Sequence, residues 1–102
     1  MGERLFMISV DWDHPALDVE GLRAFISASH VFRNWWNHIP TIFLVTSEYT
    51  ADEISAKLKK FSRDANLLVM EVNPQESEGW LPDRGWQWIR RRSGDAVPAS
   101  EA

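Results

Sequence analysis

The chain predicts an α+β fold in which strands and helices run in the order βαββαβ, followed by a C-terminal extra segment. Three observations carry this. Residues 4–12 alternate as a strand does; residues 19–30 and 51–61 space their apolar side chains as helices do; and two β-rich runs, 31–38 and 41–47, meet across a single Ile-Pro step.

In the first run, Phe6, Ile8, Val10 and Trp12 share one face, while Leu5, Met7, Ser9 and Asp11 share the other. Both faces are apolar early and the second turns polar late. That suits a central strand with helices on one side and partial cover on the other. Pro15 and Asp18 then punctuate the chain, and the Asp18 carboxylate suits an N-cap. Val19, Leu22, Phe25, Ile26 and Ser29 follow at helical spacing, predicting a helix over 19–30 that Gly21 weakens slightly.

Residues 31–38 read as a strand with Phe32 and Trp36 on one face and Val31 and Trp35 on the other. Pro40 cannot donate to a ladder and marks the connection to Thr41–Ser47, where Ile42 and Leu44 oppose Phe43 and Val45. "TADEISAKLKKF" opens with Thr50 and Glu53 at capping-box spacing. Its apolar stripe is Ala51, Ile54, Leu58 and Phe61, with Lys57, Lys59, Lys60 and Arg63 outward or flanking. Residues 66–73 give a fourth strand, whose dense run Leu67, Leu68, Val69 and Met70 predicts burial on both faces. A polar, acidic link over 74–79 leads to a short helix through Arg92 that Asp83 could cap, with Trp86 and Ile89 on one face.

Together these elements predict the split βαβ plan of ferredoxin-like folds: a four-stranded antiparallel sheet with two helices on one face. One such domain over residues 1–92 and a disordered tail over 93–102 account for all 102 residues. The uncovered face carries enough apolar side chain to predict a partner.

Composition narrows the function classes. The chain has no Cys, which excludes disulfide and thiolate chemistry. With no span-length apolar run and no signal-peptide pattern, the expectation is a soluble cytoplasmic protein without membrane contact. The net charge of −4 is unlike that of a generic nucleic-acid binder, although basic residues cluster locally. Six Trp residues call for a core or an interface.

The segments "LFMISVDWDHP", "NWWNHIPTIFLVTS", "TADEISAKLKKF", "NLLVMEV" and "GWLPDRGWQWIRRR" occur in an order that resembles small ferredoxin-like proteins of the CRISPR-associated protein 2 type. The resemblance is nearer still to the SinR-like bacterial group. It implies a homodimer with sheets packed against each other. It also implies that Asp11, at the end of the first strand, faces its symmetry mate and takes part in metal binding and catalysis.

The residues themselves offer three candidate sites. Asp11 and Asp13, two apart, fall on one face of an extended chain, and their oxygens suit Mg²⁺ or Mn²⁺. A two-fold axis would bring four carboxylates together. The bland alternative is a solvated strand exit, for which Asp before Pro is ordinary turn chemistry. Trp35 and Trp36 could stack on single-stranded bases, yet Arg33 is the cation close by in sequence, which favours core and dimer interface. Lys57, Lys60 and Arg63, with Lys59 and the arginines at 84 and 90–92, could track a phosphate backbone or simply form a solvated face. His14, His30 and His38 lack zinc-site spacing and read as structural or surface residues.

The leading expectation is therefore a non-enzymatic homodimeric scaffold or interaction module. A metal-dependent endonuclease acting through paired Asp11 carboxylates and a nucleic-acid binder are the alternatives.

Overall fold

A computed structural model describes residues 3–93, apart from the side chain of Ser93. The elements are β1 (Arg4–Val10), α1 (Val19–Ala28), β2 (Asn34–Ile39), β3 (Ile42–Ser47), α2 (Ala51–Ser62), β4 (Leu67–Glu71) and α3 (Asp83–Ser93). The expected tail beyond Ser93 lies outside the described residues.

All strand pairs are antiparallel, and the sheet order is β2-β3-β1-β4. This is the order of two interleaved split βαβ units, in which β3 pairs with both β1 and β2, and β4 returns to the free side of β1. β1 and β3 become central, and β2 and β4 become edges. The α+β architecture matches the sequence expectation. Among the described residues no helix is long and apolar enough to cross a membrane.

One sheet face carries the core. Phe6, Ile8 and Val10 of β1 and Phe43 and Val45 of β3 pack against Leu22 and Ile26 of α1 and Ile54 and Leu58 of α2. None of these exceeds 6% exposure, so each contributes nearly its full burial free energy, roughly 1.5–3 kcal/mol. Both helices start as their sequences dictate. The Asp18 carboxylate accepts the Gly21 amide at 2.9 Å. Thr50 Oγ1 accepts the Glu53 amide at 3.1 Å while Glu53 Oε1 accepts the Thr50 amide at 2.9 Å, which completes the capping box.

Four expectations fail at element ends and edges. β1 stops at Val10 rather than Trp12, because the Asp11 amide bonds to the Asn66 carbonyl and the chain then turns, with the His14 amide on the Asp11 carbonyl at 2.9 Å. Trp12 consequently leaves the core face and is 47% exposed. α1 ends at Ala28, two residues early, where Ser29 Oγ accepts the Val31 amide at 3.1 Å and turns the chain. Val31 and Phe32 therefore precede β2 and both enter the core, instead of alternating across a sheet.

The fourth concerns β4, which is buried on one face only. Leu67 and Val69 pack against the core, whereas Leu68 and Met70 are 49% and 48% exposed.

α3 is the C-terminal extra, and it lies on the sheet face opposite α1 and α2. Its Trp88 ring meets Trp36 of β2 edge-on with centroids 6.3 Å apart. Gly85 allows a close approach, since a Cβ there would stand 3.2 Å from His38 Cδ2. Trp36 and Ile89 are thereby buried. The expected Asp83 cap is replaced: Asp83 sits inside the first turn, and the Pro82 carbonyl accepts the Gly85 amide at 2.8 Å.

Candidate functional site

The outer sheet face is graded from covered to open. In register, Met70 of β4 lies beside Met7 of β1, Met7 beside Leu44 of β3, and Leu44 beside Trp36 of β2. At the Trp36 end α3 supplies cover; at the Met70 end nothing described does, and a second row, Leu68, Ser9 and Ile42, runs parallel to it. β4 pairs with β1 on one side only, so the other edge of the strand is open among the described residues. Two half-exposed apolar side chains next to an open strand edge form a surface suited to association.

Asp11 and Asp13 occupy a turn, not a strand. Asp11 is half-buried and Asp13 exposed. The face-sharing argument for this pair requires extended chain, and the turn at 12–13 removes that premise. His14 Nδ1 accepts the Ala16 amide at 3.0 Å, so this ring nitrogen serves the turn. Among the described residues no three His, Asp or Glu side chains gather closely enough to hold an ion, so an Asp11-centred site needs donors from elsewhere, such as a second copy.

The two Trp candidates face opposite sides of the sheet. Trp35 leans on the helix-side core, 6.3 Å from the Phe43 ring, and is half-buried. Trp36, 7% exposed, lies between His38 at 4.9 Å and Trp88. Its indole N–H is buried and has no hydrogen-bond partner among the described residues, a cost of about 1–3 kcal/mol that the aromatic packing must offset. A ring under α3 cannot serve as an open stacking platform while α3 is docked.

The cationic candidates lie on α2 and at its end. Lys57 Nζ stands 5.0 Å from the Tyr49 ring centroid, and Lys60 Nζ stands 5.1 Å from Phe61 and 5.8 Å from Phe25. Arg63 is exposed just past the helix. The sheet separates Trp36 from this group, so the structure does not combine them into one surface. At the far end of the fold, Arg92 covers Trp88 at 4.1 Å. Burial there pulls the Arg92 guanidinium below its ordinary range; Glu3 opposes the effect and Arg91 adds to it.

Sequence reasoning missed Leu68 and Met70 as surface residues. The signal was present, because the last strand of a split βαβ sheet has to be an edge. Comparison with protein-family models, with curated proteins and with solved structures finds no match to this chain.

Proposed function

We propose that the chain is a non-enzymatic scaffold or interaction module, homodimeric as its resemblance to SinR-like proteins implies, and that it self-associates through the outer face of β4. The observation that carries this reading is the pair Leu68 and Met70, half-exposed beside Met7 on a strand with an open edge. Covering what remains exposed of each side chain would contribute roughly 1 kcal/mol per residue, and a two-fold axis doubles every such contact. Two copies also cover the face that α3 leaves open.

Analytical ultracentrifugation tests the reading. Wild type is expected to sediment as a dimer, and Leu68→Asp combined with Met70→Asp as a monomer with an unchanged circular dichroism spectrum. A wild type that stays monomeric at every concentration, or a double variant that still dimerises, overturns it.

A further inference from the structure

Away from the outer sheet face, the loops that follow α1 and β3 enclose a depression against α2. It measures about 370 Å³ and is lined by Phe25, Val31, Tyr49 and Ala56, with Lys57, Lys60 and His30 among its polar groups. A neighbouring hollow of about 470 Å³ shares His30, Val31 and Tyr49 with it and adds Arg33, Glu48 and Glu53.

The charge balance of this hollow is unusual for a helix surface. Lys57 follows Glu53 by one turn, the spacing at which a Glu ordinarily neutralises a Lys. Here Glu53 is turned to the capping box, where its Oε1 accepts from both the backbone and the hydroxyl of Thr50. Lys60 has Ala56 at the equivalent position. Among the described residues neither ammonium meets a carboxylate; each rests on aromatic rings instead. The Tyr49 hydroxyl and the His30 ring likewise have no hydrogen-bond partner among those residues, although the Tyr49 amide and carbonyl are both engaged. Carboxylates do approach from the β3–α2 loop, where Glu48 lines the adjoining hollow.

We propose that this depression binds a small anion with an attached ring, an aryl carboxylate being the simplest member of the class. The ring lies against Phe25, Val31 and Ala56, and the carboxylate sits between the ammonium groups of Lys57 and Lys60. Both parts are required: the walls are apolar but shallow, and exposed lysines hold a bare anion weakly. The proposal does not depend on dimerisation.

Amide chemical-shift mapping of the full chain tests it, with benzoate as the probe and benzyl alcohol and acetate as controls. Benzoate is expected to give saturable shifts at Tyr49, Ala56, Lys57 and Lys60, and each control to bind at least tenfold more weakly, as in ~1.4 kcal/mol per factor of ten. Lys57→Gln combined with Lys60→Gln is expected to weaken benzoate binding at least tenfold with the circular dichroism spectrum unchanged, since both side chains are exposed. Equal shifts from benzyl alcohol, non-saturable shifts, or shifts centred on α3 would overturn the proposal.

Discussion

Arg63 shows how a single residue can depart from its local preference. Its backbone adopts φ 52° and ψ −114° directly after α2. The Ala65 amide bonds to the Ser62 carbonyl at 2.8 Å across it, so Arg63 holds the first central position of a turn of the type that favours Gly there. Arg63→Gly is therefore expected to stabilise the chain by about 1 kcal/mol. Urea denaturation checks this through a raised midpoint at constant slope. No sequence pattern announces the turn, because "SRDA" contains no Gly. The caps are the opposite case: Asp18, Thr50 and Glu53 were legible, since each acts on an amide within three residues.

At the scale of elements, α3 shows where local patterns stop being informative. It starts at Asp83 itself, which was expected to cap it from outside, and its end falls one residue beyond the expected Arg92. Its docking was not foreseen, because Trp86, Trp88 and Ile89 offer apolar surface in more than one direction. The contact of Trp88 with Trp36, 52 residues away along the sequence, selected one of them. Trp88→Ala is expected to release α3 at a cost of about 2 kcal/mol, less than a fully buried Trp would show. Hydrogen exchange checks this. Amides of α3 should exchange faster while those of α2 keep their protection, and unchanged α3 rates would count against the Trp36–Trp88 contact as its anchor.

β4 repeats the lesson for strands. "LLVME" is a short apolar run, and such runs do not reveal by themselves whether one face or two are buried. Its partner β1 has neighbours on both sides, whereas β4 has one, and that position in the sheet leaves Leu68 and Met70 open.

For the whole molecule, association of two copies bears directly on Asp11. Asp11 is half-buried in a turn and has no second and third His, Asp or Glu gathered with it among the described residues. Metal binding at this position therefore needs donors from elsewhere, which a second copy would supply. If two chains bring their Asp11 side chains together, calorimetric titration with Mn²⁺ or Mg²⁺ should show saturable heat in wild type. The heat should vanish in Asp11→Ala and fall in step with dissociation in the Leu68→Asp, Met70→Asp double variant. Heat that persists in Asp11→Ala would place the ion elsewhere.

By itself the sequence determined the order of elements, the alternation of β1 and β3, the starts of α1 and α2 and the α+β class. These follow from hydrogen bonds and side-chain directions set within a few residues. Tertiary structure decided that Trp12 leaves the core, that Val31 and Phe32 enter it together, that α3 covers Trp36, and that Leu68 and Met70 stay half-exposed. Each of those outcomes depends on which distant surface competes for the same apolar side chain, and periodicity along the chain carries no record of that competition.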